Sequence, residues 1–158
     1  MLQLDTNLQN ITTFNNQPIS TIPKTLRNCT SLFRVRLERN QLFGNVSEDF
    51  NVYRNLRYMD LSYNRFYGEI SHNWSRCPQL TTLRIVGNNI IGSILLEMGD
   101  STQLQLLDLS YNRLVGKLPK LTYLFKLMLN GNQLAWDIPL VLGSLTKLKY
   151  LDLSANNH

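Results

Sequence analysis

Arg57-Tyr58-Met59-Asp60-Leu61-Ser62-Tyr63-Asn64 is the stretch on which the reading of this chain turns. Leu56, Met59 and Leu61 stand before Asn64 at the spacing LxxLxLxxN. The phrase returns with Leu80, Leu83 and Ile85 before Asn88, with Leu104, Leu107 and Leu109 before Asn112, and with Leu148, Leu151 and Leu153 before Asn156. Counting Asn40 and Asn132, the motif asparagines follow one another at 24, 24, 24, 20 and 24 residues. Self-similarity at a fixed period of this size marks an architecture of stacked units. Twenty-four residues before Asn40 lies Asn16, preceded by Leu8, Ile11 and Thr13, so a degenerate frame opens the array.

Within each frame the core xLxLx alternates apolar and polar side chains, the period of a short strand with one buried face. One such unit cannot bury its leucines alone. Neighbours must cover each other, giving parallel strands spaced about 4.8 Å apart. The asparagine falls where the strand ends and the chain turns inward. There its amide can satisfy backbone groups that would each cost about 1–3 kcal/mol if buried unpaired. Asn40, Asn64, Asn88, Asn112, Asn132 and Asn156 are therefore expected to form a structural ladder.

After the asparagine the frames run xLxGxIP, as in Asn40-Gln41-Leu42-Phe43-Gly44 and from Asn132-Gln133-Leu134 to Ile138-Pro139. On these phrases the chain resembles the plant-specific class of leucine-rich repeat. Over nearly its whole length it resembles part of the ectodomain of plant receptor-like kinases that perceive small secreted peptides. The resemblance implies a leucine-rich-repeat solenoid of 24-residue repeats, with a concave parallel sheet, a convex side of short helical or 3-10 turns, and a small second sheet beside the IP segment. It implies one domain over residues 1–158, with six clear frames, a degenerate first one and a shortened repeat between Asn112 and Asn132. Ser47, Ser71 and Leu95 occupy the class proline site, and Trp136 stands where the repeat glycine belongs. The four missing residues fall after Leu118-Pro119, so the convex side should be flattened there. Family ectodomains also carry disulfide-closed caps, a membrane helix and a kinase. Their absence here reads as an internal fragment or a truncated product, fraying at Met1 to Thr13 and inclined to associate through its last strand.

The chain has 158 residues, 43% of them hydrophobic, enough for one sizeable folded unit. A net charge of +5 would favour acidic partners if the cations were clustered, and the reading is that most are not. No apolar run approaches the roughly 18 residues of a membrane span, and Met1-Leu2-Gln3-Leu4-Asp5 lacks the basic start of an export signal. Neither nucleic acid nor membrane is an expected partner of this segment. No cofactor or metal site is expected: His72 and His158 lie outside the strand face, and no glycine loop could cradle a phosphate. Asp60, Asp108 and Asp152 recur because the phrase Asp-Leu-Ser recurs, and no catalytic set is assigned. Cys29 and Cys77 share a core-facing phase two repeats apart, about 10 Å, beyond the roughly 7 Å limit for a disulfide. They are read as buried thiols. Sequons at Asn28, Asn45 and Asn73 fall outside the predicted strands, as glycosylation sites that would leave the concave face free. A fourth, at Asn10, projects onto a strand.

Four residues before each asparagine, Thr12, Arg36, Asp60, Arg84, Asp108, Met128 and Asp152 form an outward column of alternating sign. Adjacent opposite charges could pair at about 0.2–1 kcal/mol each and recognise nothing. Six before come Arg34, Tyr58, Thr82, Leu106, Lys126 and Tyr150; just before come Arg39, Tyr63 and Tyr111. Arg34, Arg36 and Arg39 with Tyr58 and Tyr63, and Arg84 alongside, are the candidate ligand site, suited to clamping a carboxylate or sulfate while an apolar side chain rests on a ring. Arg34-Val35-Arg36 resembles the RxR element with which some family members hold a peptide's terminal carboxylate. The competing account is a solvated strand face, with Tyr63 and Tyr111 merely covering the strand edge. The function implied is extracellular recognition of a peptide or protein ligand, with a co-receptor kinase as a further partner, in a receptor at the plasma membrane or a secreted protein. The alternatives are a secreted inhibitor of a cell-wall-degrading enzyme, an ice-binding repeat and an inert scaffold.

Overall fold

The computed structural model describes residues 7–13, 19–135, 143 and 145–157. Asn16, Trp136, Ile138-Pro139 and His158, and the first six residues of the segment expected to fray, lie outside these. The strands, numbered along the chain, are β1 Asn10–Thr12, β2 Ile19–Thr21, β3 Arg34–Arg36, β4 Gln41–Asn45, β5 Tyr58–Asp60, β6 Arg65–Glu69, β7 Thr82–Arg84, β8 Asn89–Ile91, β9 Leu106–Asp108, β10 Val115–Gly116, β11 Lys126–Met128, β12 Gln133–Leu134 and β13 Tyr150–Asp152. Odd-numbered strands up to β9, with β11 and β13, make one seven-stranded parallel sheet in sequential order. The sequence period sets its register: Val35 faces Met59 and Met59 faces Leu83, each one repeat on. β1 pairs with β3 in the same register, so the degenerate first frame is a full member of the sheet.

The central residue of each strand of this sheet points inward. Val35, Met59, Leu83, Leu107 and Leu127 are buried completely, with the leucines and isoleucines two residues later beneath them. On the far side of this core the chain runs through a second parallel sheet, β2-β4-β6-β8, with β10 and β12 paired separately. Arg113 and Val115 donate backbone hydrogen bonds to Ile90 and Gly92 at 2.8 Å, which carries the ladder across the gap between the two pieces. Short helices close four repeats. These are 3-10 turns at Lys24–Asn28 and Leu96–Asp100, and single α-turns α1 (Val46–Asp49) and α2 (His72–Ser75). Where the class has proline, Ser71 starts α2 by accepting from the Asn73 N–H, and Asn45 does the same for α1 through the Ser47 N–H. An N-cap of this kind contributes about 1 kcal/mol. Phe50, Phe66 and Trp74 fill the space beneath, with ring centroids 6.0 and 5.9 Å from Phe50. In the shortened repeat no helix forms between β10 and β11.

The motif asparagines bind each repeat to the one before. Asn88 Nδ2 donates to Ile85 and Val86 carbonyls of its own turn and to the Leu61 carbonyl of the preceding repeat at 3.0 Å, while its Oδ1 accepts from the Phe66 N–H at 2.9 Å. Asn64, Asn112 and Asn156 repeat this arrangement, and Asn40 reaches back to the Thr13 carbonyl at 2.9 Å. These amides are inter-repeat clamps as well as turn fillers. The residue just before each one adopts a left-handed backbone: Arg39, Tyr63, Gly87, Tyr111, Gly131 and Ala155 have φ between 52° and 71°. Glycine at 87 and 131 takes that conformation without strain.

Candidate ligand-binding face

The outer side of the seven-stranded sheet is built from the columns that flank the buried one. Arg34 and Tyr58 are cross-strand partners in register, and the Arg34 guanidinium lies 5.0 Å from the Tyr58 ring centre. One position earlier, Arg57 sits 5.2 Å from the Phe33 ring, and at the turn Arg39 sits 5.1 Å from Tyr63. Phe33, Arg57, Arg54, Asn55, Ser31, Gln9 and Gln79 line a cavity of about 370 Å³ beside the sheet. Arg36 takes a different partner from the one the alternating column suggests. It is bound by Glu38, two residues on, through both Nε and a terminal nitrogen, so its charge is committed within its own repeat. Glu38 raises the Arg36 pKa above its ordinary value.

The remaining charge pairs centre on Arg84. It reaches Asp60 at 3.1 Å and Asp108 at 3.5 Å, one on each neighbouring strand. Burial opposes its charge, yet the two carboxylates hold the guanidinium pKa above the ordinary arginine value. Asp60 and Asp108 are buried, unlike the open column the alternation suggests. Their structural duty is visible: Asp60 accepts from the Ser62 N–H at 3.0 Å, and Asp108 and Asp152 accept from the Ser110 and Ser154 hydroxyls at 2.8 and 2.7 Å. The recurrence of Asp-Leu-Ser is thus a strand-ending turn in which the aspartate captures the N–H or hydroxyl of the serine two residues on.

Tyr63 and Tyr111 lie over the glycines of the next repeat, since a methyl group on Gly87 would meet the Tyr63 ring at 2.8 Å and one on Gly131 the Tyr111 ring at 2.7 Å. Both tyrosines stay half exposed, at 48% and 59%. Each therefore packs against the backbone of the next repeat while staying partly open to solvent, and Tyr63 also carries Arg39 on its ring. Of the six candidate residues, the structure brings Arg34 to Tyr58 and Arg39 to Tyr63, turns Arg36 to Glu38, and places Arg84 two strands further on, held by carboxylates.

A second cluster lies at the other end of the sheet. Lys126 stands 5.7 Å from the Tyr150 ring, Lys149 5.2 Å from Phe125 and Lys147 5.0 Å from Tyr123. The signal was present in the columns six and seven before the asparagine, which combine aromatic and basic residues at both ends. Most cations are not clustered, as expected, but the net charge is concentrated toward one end of the sequence. Residues 113–158 hold six Lys or Arg against two Asp, a net +4, while residues 1–112 hold ten against nine acids, a net +1.

The remaining candidates sit away from this face. Asn28 is exposed at the end of its 3-10 turn. Asn45 is not outside the strands as expected: it ends β4, caps α1 and donates to Glu48 at 3.0 Å. Strand pairing with β6 extends the second sheet into the sequon. Asn73 lies within α2 and donates to the Phe50 carbonyl at 3.2 Å. Cys29 and Cys77 are buried, and burial pushes the Cys77 thiol pKa up. Among the described residues no three His, Cys, Asp or Glu gather as a metal site, and no helix is long and apolar enough to cross a membrane.

The family model described as Leucine Rich Repeat matches residues 55–77 and 103–122. No curated protein sequence matches the chain. Solved structures do. The plant peptide hormone receptor RGFR1 in complex with RGF2 superposes with a TM-score of 0.85 at 33% identity, over 95% of this chain and 25% of that one. The Arabidopsis receptor kinase HAESA leucine-rich-repeat ectodomain, in complex with an N-terminally extended IDA peptide hormone ligand, gives 0.80 at 34% identity over 87% of this chain and 24% of that one. HAESA in complex with IDA and the co-receptor SERK1 gives 0.76 at 28% identity, over 97% and 30%. The chain thus spans about a quarter of the length of the receptors it matches.

Proposed function

We propose that this leucine-rich-repeat chain, matched in fold by ectodomains of plant receptor kinases, is a non-catalytic, extracellular recognition module that binds a peptide on the outer face of its seven-stranded sheet. The supporting observation is the cluster at β3 and β5. Arg34, Arg39 and Arg57 are stacked on rings that hold them in place, and among the described residues no carboxylate lies within ion-pair distance of them. A guanidinium fixed on a ring keeps its donors free for a ligand carboxylate or sulfate, and loses less entropy on binding than a mobile one. In this reading residues 1–158 are one domain of stacked repeats, supported by the continuous seven-stranded sheet of the described residues, and the asparagine ladder is its structural component. In the solved structures named above the receptors are bound to RGF2 or to the peptide hormone IDA, and in one the co-receptor SERK1 joins them. A peptide ligand and a co-receptor are the partners proposed here.

Peptide-library binding to the full chain at low and high salt tests this reading. Selective binding that is lost in Arg34→Ala/Arg39→Ala and retained in Arg36→Ala would support it, because Arg36 is committed to Glu38. Binding indifferent to all three substitutions would remove the site.

A further inference from the structure

The outer face carries two cation–ring clusters, one toward each end, and between them the columns that build those clusters are uncharged. Near one end Arg34 stacks on Tyr58 and Arg57 on Phe33. Near the other Lys126 stacks on Tyr150 and Lys149 on Phe125. The two clusters occupy equivalent register positions, because β3 pairs with β5 as β11 pairs with β13. In the strands between, the same two columns hold Thr81, Thr82, Gln105 and Leu106, and the neighbouring Arg84 is already neutralised by Asp60 and Asp108.

From the middle of the first pair to the middle of the second is four strand steps, about 19 Å at ~4.8 Å per step. An extended peptide covers that distance with about six residues at ~3.3 Å each. We propose that this face takes an extended peptide laid across the strands, with acidic groups in two sets about six residues apart and uncharged residues between. One set is held at Arg34 and Arg57, the other at Lys126 and Lys149. The inference rests on the peptide-binding reading above and adds the second anchor, the spacing and the charge pattern of the ligand.

The geometry argues for a peptide over an acidic polysaccharide. Sugars stack on open ring faces, and here each ring has a cation 5.0–5.7 Å from its centre. A uniformly charged chain would also set carboxylates over a middle section whose one cation, Arg84, is doubly paired. Two anchors on one ligand make the second contact intramolecular, so affinity should depend steeply on their separation.

The test is calorimetric titration of the full chain with synthetic peptides bearing an acidic pair at each end, the centres of the two pairs lying about three, six or twelve residues apart with neutral residues between. It is repeated with Lys126→Gln/Lys149→Gln and with Arg34→Gln/Arg57→Gln, after thermal melts show that both variants fold. The expected result is an advantage on the order of tenfold or more for the six-residue separation, abolished in either variant. Affinity independent of spacing overturns the proposal. So does an unchanged lysine variant beside a weakened arginine variant, which would leave the peptide-binding reading standing. Failure of every peptide to bind defeats both, and tighter binding of oligogalacturonate than of any peptide overturns the proposed occupant.

Discussion

Two sides of the same strands obey different rules. On the inner side of each turn an asparagine makes the same bonds, within its own repeat and to the one before, from Asn40 to Asn156. On the outer face equivalent positions hold arginine, tyrosine, threonine, leucine and lysine. Buried polar groups leave almost no freedom, because each unmade bond costs free energy. Solvent-facing positions impose little, and there side chains are free to answer to a ligand.

If that division is right, the ladder should give the largest effects. Asn88→Leu strands the Phe66 N–H and takes one of two amide donors from the Leu61 carbonyl, leaving it only Asn64, and should lower unfolding stability by about 2–3 kcal/mol in urea titration. Should the loss stay within experimental error, the amides would be fillers and not clamps. Next is Gly87→Ala, which forces a left-handed alanine and presses a methyl group on Tyr63; a cost of about 1–2 kcal/mol is expected by the same titration.

Asp60 sharpens the comparison, since it belongs to the outer column yet serves the turn. Asp60→Ala should cost about 1–2 kcal/mol by leaving the Ser62 N–H unpaired. Asp60→Asn, which keeps an acceptor, should cost less than half of that; equal losses would assign the effect to the Arg84 ion pair.

The smallest effect concerns Asp49, whose carboxyl pKa is raised by burial and by Glu48. A carboxyl raised on folding weakens the folded state above its folded pKa, and the penalty fades as pH falls through that value towards the unfolded one near 3.9. Asp49→Asn should therefore raise the melting temperature slightly at pH 7 and leave it unchanged near pH 3. A gain that persists in acid would exclude charge as the cause.

The ladder, strand positions and register were legible because one period fixes them all. The seven-stranded order required nothing beyond the spacing of Asn40 to Asn156 and one further step of 24 back to the degenerate frame at Asn16. Charge pairing was less legible. Arg36 was placed opposite Asp60 by column logic, but residues two apart on one strand end also share a face, and Glu38 was equally near. Sequence distance does not rank two such partners; side-chain reach and burial do. Asn45 was missed as a strand residue because its sequon sits at a boundary where β4 passes directly into α1. The lysine cluster escaped notice because its rings and cations alternate across two repeats, a pattern visible only when the columns are read side by side.

The shortened repeat has a consequence for how such a chain can change. Four residues and a helix are missing between Asn112 and Asn132, yet β9 and β11 pair in register, and Asn132 still bonds to the Leu109 carbonyl and the Leu114 N–H at 3.0 Å each. Length on the far side is decoupled from alignment on the recognition side. Insertions and deletions there can accumulate as nearly silent drift. Unequal recombination that adds or drops a whole frame needs only leucines in phase and one asparagine to be tolerated, which makes the spacing between ligand contacts a heritable, adjustable length.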